Sequence, residues 1–147
     1  MEILLQRIEK LKSILLDINK IIFQILSDKR LQDWILLMIK KDQLFDKGVS
    51  EENIVLGYYS PVTESINPNK KAGTHFTLLD TGAFFDSFVL NLNAHDFIIN
   101  ADGEKEDRNL FEVFNDKGNI LGLTEDNLQK LIENLKPKIV NQIWDQL

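Results

Sequence analysis

"LLDTGAFFDSF", residues 78–88, divides a long irregular stretch from a run in which apolar and polar residues alternate, and its reading decides the fold. Asp80 or Thr81 can cap a short helical turn by accepting a backbone N–H, and Gly82 supplies a conformation or close approach that only glycine permits. Phe84 and Phe88, four apart, then point to one side of that turn. On this reading Asp80 is ionised, hydrogen bonded and structural, and the turn anchors a hairpin in the core. The hairpin follows directly. Phe88, Leu90 and Leu92 alternate with Val89, Asn91 and Asn93, "NAHD" supplies a turn, and "FIINA" has strand propensity, so an antiparallel pair is predicted.

Toward the N-terminus, apolar residues fall at Leu4, Ile8, Leu11, Leu15, Ile18, Ile22 and Ile25, in steps of four and three. This spacing predicts one long amphipathic helix over 1–26, with Ile14 and Ile21 widening its seam. Packing within the subunit is the first expectation for that seam and contact between subunits the second. In "LSDKR", Ser27 or Asp28 can cap a second helix with an apolar face of Leu31, Trp34, Ile35, Met38 and Ile39. It should end before Gly48, which can take the left-handed conformation. Residues 48–77 hold Gly48, Gly57, Pro61, Pro68 and Gly73 with no sustained period, and predict an extended loop or arm. Its basic pair, Lys70 and Lys71, reads first as two solvated lysines and second as a contact for DNA or an acidic partner.

Toward the C-terminus, "ADGEKED" predicts a solvated connection, while "NLFEVF" is too short for periodicity to choose helix or strand. "NDKGNILGL" predicts a turn at Lys117-Gly118 and a short strand. Thr124 before Glu125 and Asp126 gives a hydroxyl cap and two carboxylates suited to the positive end of a helix dipole. The helix that follows should carry the stripe Leu128, Leu131, Ile132, Leu135, Ile139, Ile143 and Leu147, with a kink at Pro137. The expected fold is therefore α+β in one domain, 1–147: two N-terminal helices, a long loop, a small antiparallel sheet and a kinked C-terminal helix.

Composition narrows the function. With 147 residues, 44% hydrophobic and 27% charged, the chain is far from the signature of disorder. Without cysteine, a disulfide framework, a thiolate metal site and a cysteine nucleophile are excluded. A net charge of −6 argues against broad nonspecific nucleic-acid binding. Glu2, Arg7, Glu9, Lys10 and Lys12 interrupt the apolar N-terminus, so neither a signal peptide core nor a membrane span is expected.

Leu79-Asp80-Thr81-Gly82-Ala83 is similar to the segment around the catalytic aspartate of retroviral-type aspartic proteases. Such an enzyme needs two aspartates about 3 Å apart sharing a proton, so a chain with one motif must dimerise. It also needs strands into the motif and a flap after it. Here helices and a loop precede the motif, and "EDRNLF", which resembles a later element of those enzymes, begins only 26 residues after Asp80. The half-site at Asp80, Thr81 and Gly82 is thus a remote alternative. His75 and His95 lie in a loop and a turn without partners at metal-ligand spacing and read as surface histidines. "NADGEKED" lacks calcium-loop spacing, and no glycine-rich phosphate loop occurs. No metal or cofactor is expected.

"QLFDKG" at 43–48, "LGYYSPVT" at 56–63, "LLDTGAFFDSF" at 78–88 and "ILGLTEDNLQKLIENLKPKI" at 120–139, taken in order, resemble the tail-completion and virion-morphogenesis proteins of tailed bacteriophages, in the version of Bacteroidetes phages and prophages. The residues that carry the likeness are Gln43, Leu44, Phe45 and Gly48; Tyr59, Ser60 and Thr63; and Leu79, Asp80, Thr81, Gly82, Phe84 and Ser87. It spans about residues 31–147, and the acidic segment 102–107 departs from the family pattern. The resemblance implies a small non-enzymatic α+β subunit of a ring at the head–tail junction of a virion, made in the host cytoplasm. Its implied partners are its own copies, the portal or connector, and tail proteins, with DNA passing through the lumen without sequence-specific binding and no membrane. Candidate subunit contacts are Tyr58, Tyr59, Ser60, Pro61, Thr63, Lys70 and Lys71, on a loop expected to be mobile until assembly buries both tyrosines against a neighbour. The alternative from another class is a helical oligomerisation or adaptor protein acting through residues 1–26.

Overall fold

The computed structural model describes residues 2–94 and 96–147, so the expectation for His95 lies outside the described residues. The fold is α+β and mostly helical, with one two-stranded antiparallel sheet. Instead of one helix over 1–26, two form: α1 (Glu2–Leu16) and α2 (Ile18–Leu26). Asp17 interrupts them with φ −103° and ψ 24°, while its carbonyl still accepts from Lys20 and Ile21. The buried seam also differs. Ile14, Ile21 and Ile25 are buried, whereas Leu4, Ile8 and Leu15 are exposed. The flank of Ile14 and Ile21 packs throughout, whereas the expected seam packs only in α2, where Ile25 is buried and Ile18 and Ile22 lie against the core.

Asp28 caps α3 (Lys29–Leu37) by accepting from the Arg30 N–H at 2.9 Å, and Ser27 instead donates back to the Phe23 carbonyl at 2.8 Å. The chain continues as a π-helix over Met38–Lys47 and ends at Gly48, with φ 61° and ψ 42°. In the wider π turn, residues four and five apart both return to one face. Ile39, Gln43 and Leu44 can therefore all point inward, and all three are buried.

Residues 48–77 are not an extended arm. Val49 pairs with Val55 and Tyr58 with His75, and Ser60 caps a short helix, α4 (Pro61–Ile66), with proline at its first position. Glu64 clips the return by accepting from the Ala72 N–H at 2.8 Å. The sequence carried this signal, since Ser-Pro with a glutamate in the first turn is a helix start. His75 is half-buried rather than on the surface, with Nδ1 2.9 Å from the Phe76 carbonyl oxygen.

After α5 (Ala83–Asp86), strands β1 (Val89–Leu92) and β2 (Phe97–Asn100) pair as expected, Leu90 opposite Ile99 and Leu92 opposite Phe97. "NLFEVF" forms a helical turn, α6 (Leu110–Val113), capped by Asn109, and a 3₁₀ turn over Asn115–Lys117 follows. The strand expected after Gly118 is absent. The Gly122 carbonyl accepts from the Gln43 side chain, and the Asn119 side chain takes the Leu121 N–H, so two groups that a ladder would use are already engaged. Thr124 caps α7 (Glu125–Gln146), which runs continuously through Pro137. Leu131 is buried and Leu135, Ile139, Ile143 and Leu147 pack on the core, but Leu128, expected in the same stripe, is exposed.

Two apolar clusters result. One joins α3 and the π-helix to the aromatic turn, through Leu36, Ile39, Leu44, Phe84, Phe88 and Phe114. The other joins α1, α2 and α3 to α7, through Ile14, Ile21, Ile25, Ile35, Met38 and Leu131. Leu90, Ile99 and Leu123 touch both, so the inner face of the hairpin stands between them.

Candidate functional site

The turn at 78–88 is built from backbone needs. Neither Asp80 nor Thr81 is the helix cap: Gly82 holds that position without a side-chain bond, and the Thr81 hydroxyl accepts from the Ala83 N–H at 3.3 Å to close the turn before it. Gly82 has φ 90° and ψ −9°, a left-handed conformation, and a Cβ there would only touch the Asp86 carboxylate at 3.9 Å, an ordinary contact. Its glycine answers to the backbone angle rather than to a close approach. Phe84 and Phe88 are buried with ring centroids 5.1 Å apart and near-perpendicular planes. The Ser87 hydroxyl donates to the Phe84 carbonyl at 2.6 Å and accepts from the Asp102 N–H at 2.8 Å, which ties the turn to the chain just after β2.

Asp80 itself is 59% exposed, and its charged partner is Lys70 at 3.9 Å, a pair that water screens strongly. The expected hydrogen-bonded cap is thus corrected to an exposed ion pair. Just before it, Leu78 holds φ 57°, a conformation costing a non-glycine residue on the order of 1–2 kcal/mol. Packing of Leu78 against Phe76 and the aromatic cluster accompanies that strain.

These pieces share one cleft of about 620 Å³. Tyr59, Thr63 and Lys70 come from the loop, Leu79, Asp80 and Thr81 from the turn, and Glu104 to Arg108 from the acidic segment. The floor is apolar, with Phe76, Leu110 and Phe114, and the rim carries both signs of charge. Tyr59 packs edge-on to Phe76 at 5.0 Å, and its hydroxyl accepts from the Thr77 N–H at 3.1 Å. The Lys70 ammonium lies 5.8 Å from the centroid of the Tyr59 ring. Tyr59 therefore belongs to the subunit's own packing, and only Tyr58, 62% exposed, is free to meet a neighbour. Ser60, Pro61 and Thr63 build the start of α4, while Lys71 is exposed. Lys70 is part-buried and paired, not simply solvated.

For a protease half-site the surroundings are unsuitable. The motif sits between an irregular segment and a four-residue helix, with no strand leading into it among the described residues.

Outside the cleft, several large apolar side chains of the described residues are exposed. Among them are Val62 and Ile66 on α4 and Tyr58 earlier in the loop. On α1, residues 3–10 are all exposed, including Ile3, Leu4, Leu5 and Ile8.

One buried structural residue escaped periodicity entirely. Gln43, 1% exposed, donates from Nε2 to the Gly122 carbonyl at 2.8 Å and accepts at Oε1 from the Thr124 N–H and Asn127 Nδ2, both at 2.9 Å. It ties the π-helix to the start of α7. Nothing in residue spacing marks it, and only the likeness in "QLFDKG" singled it out.

Comparison with protein-family models, curated proteins and solved structures found no match.

Proposed function

We propose that the chain is a structural subunit of a ring at a phage head–tail junction, joining portal or connector to tail around a channel for DNA. The observation that carries this reading is the loop at 48–77. It is held to the subunit by backbone pairing at Tyr58 and His75, by Tyr59 on Phe76, and by the Glu64 clip, yet it leaves Tyr58, Val62 and Ile66 bare. A contact surface presented in advance lowers the entropy lost on assembly. Large apolar side chains on a fixed loop are what a head-to-tail neighbour needs, and repeated head-to-tail contacts close a ring. The net charge of −6 suits a lumen along which DNA slides without adhering. Asp80 and its turn act in folding on this reading, and no reaction is assigned to them. Imaging the purified protein in negative stain, alone and with portal and tail proteins, tests the proposal. Closed rings support it; particles that never exceed a few subunits in any mixture oppose it.

A second reading, a helical oligomerisation or adaptor protein, is favoured by one observation, the bare flank of α1. Removing residues 1–26 would not separate the two, because Ile14, Ile21 and Ile25 belong to the core. Charged substitutions on the exposed positions of α1 do separate them. Rings that survive those changes favour the first reading, and loss of all self-association favours the second.

A further inference from the structure

We infer that β2 takes a third strand: an extended segment of a partner protein, apolar at alternate positions and carrying one basic residue, docks along its free edge. The inference goes beyond the ring reading and rests on residues other than Tyr58, Val62 and Ile66.

The Asn93 N–H donates to the Asp96 carbonyl at 2.8 Å, which fixes the alternation of the ladder. Asn91 with Ile98 and Val89 with Asn100 are then hydrogen-bonded pairs, whereas Leu92 with Phe97 and Leu90 with Ile99 are not. The N–H and C=O groups of Phe97 and Ile99 therefore point away from β1, and no other backbone group among the described residues takes them up. Free edges are commonly guarded by lysine, proline or a bulge. Phe97-Ile98-Ile99 has none of these and pairs in a continuous register, so its outer backbone stays open to pairing.

A groove of about 360 Å³ lies along this flank, bounded by Phe97, Ile98 and Ile99 on one side and by the segment 119–123 on the other. Among the described residues none from β1 lines it, which places it on the side of β2 away from its partner strand. The main-chain groups of Phe97 and Ile99 select an extended backbone, and Ile98, 48% exposed, with Leu121 and Leu128 in the same groove, favours apolar side chains on it. At about 3.4 Å per residue, a segment of about five residues covers this edge and its flanks. Glu51 lines the groove too: its carboxylate lies where a Cβ on Gly122 would stand, and among the described residues no cation pairs with it. A lysine or arginine on the incoming segment supplies that partner. A second copy is the poorer occupant, because 119–123 stands where the body of another folded sheet would have to go, whereas a single free segment can enter.

The test titrates the isotope-labelled full-length protein, followed by NMR, with capped hexapeptides that alternate valine and threonine, with and without a terminal lysine. The lysine peptide should bind with a Kd of about 100 µM or tighter and slow hydrogen exchange at the Phe97 and Ile99 amides. Methylating alternate backbone nitrogens of that peptide keeps its side chains but removes its donors, and should weaken binding at least about tenfold. Ile98→Lys, which places a guard on the edge, should do the same while the melting temperature holds, because Ile98 is exposed. Glu51→Gln should weaken the lysine peptide about threefold and leave the lysine-free one unchanged. Four results would each overturn the inference: no peptide bound at about 1 mM, equal binding of the methylated peptide, spectral changes that map away from β2, or protection of Phe97 and Ile99 by rising protein concentration alone, the mark of a second copy.

Discussion

Replacing Gln43 by leucine is expected to cost about 2–4 kcal/mol of folding stability. The side chain is buried and joins three groups: the part-buried Gly122 carbonyl, the buried Thr124 N–H, and the buried Asn127 amide, which also reaches the Met38 carbonyl at 3.5 Å. Leucine is close in volume and adds favourable apolar burial, so no large cavity term enters. What it leaves is the Thr124 N–H orphaned in the core and two further groups short of one partner; an orphaned buried group costs about 1–3 kcal/mol and the other two less, and the apolar gain offsets part of the total. Against a typical total of about 5–15 kcal/mol this is a large fraction. For a chain of this length it corresponds to a fall of roughly 6–13 °C in melting temperature. Urea and thermal denaturation followed by circular dichroism measure it. Asn127→Leu should cost less, because it orphans fewer groups, and the double variant should cost clearly less than the sum of the two. A Gln43→Leu protein within 1 kcal/mol of wild type, or strict additivity with Asn127→Leu, would refute the account of this node.

Asp80→Asn is expected to change stability by no more than about 0.5 kcal/mol, since it removes only an exposed pair with Lys70; a peptide-cleaving activity in wild type that the variant loses would reopen the protease reading. Gly82→Ala should cost about 1 kcal/mol for its left-handed backbone alone, whereas Gly48→Ala should cost considerably more, because its Cβ would also meet the Phe76 carbonyl and the His75 ring. Equal thermal shifts for the two would contradict that distinction. Tyr59→Phe should lose about 1 kcal/mol with the hydrogen bond to the Thr77 N–H, while Tyr58→Ala should leave the isolated subunit's melting curve unchanged and weaken assembly.

The hairpin was legible because Leu90, Leu92, Phe97 and Ile99 alternate with outward residues, and a two-residue period over a half-buried face has few other readings. The caps at Asp28 and Thr124 were legible for the same local reason. Asp17 was not, because an aspartate at a solvent-facing position fits a continuous helix as well as an interrupted one. The π-helix left no trace either, since inward residues at 39, 43 and 44 look like a flaw in helical period until the wider turn is known. At the candidate site, Phe84 and Phe88 were readable from their spacing and Gly82 from the turn it makes, whereas the side-chain cap expected at Asp80 or Thr81 is not formed. The division of labour between Tyr58 and Tyr59 was not, because which of two adjacent tyrosines turns inward depends on Phe76 and Thr77, contacts made across the fold of the loop.

On the proposed reading, copies of this chain close into a structural ring through the loop face, and native mass spectrometry of the purified full-length protein with portal and tail proteins present is the sharpest check. One discrete oligomer of many copies is expected, lost when Tyr58, Val62 and Ile66 are replaced by polar residues while the subunit's melting temperature holds. A chain that never exceeds a pair, or an oligomer indifferent to those three substitutions, would contradict it.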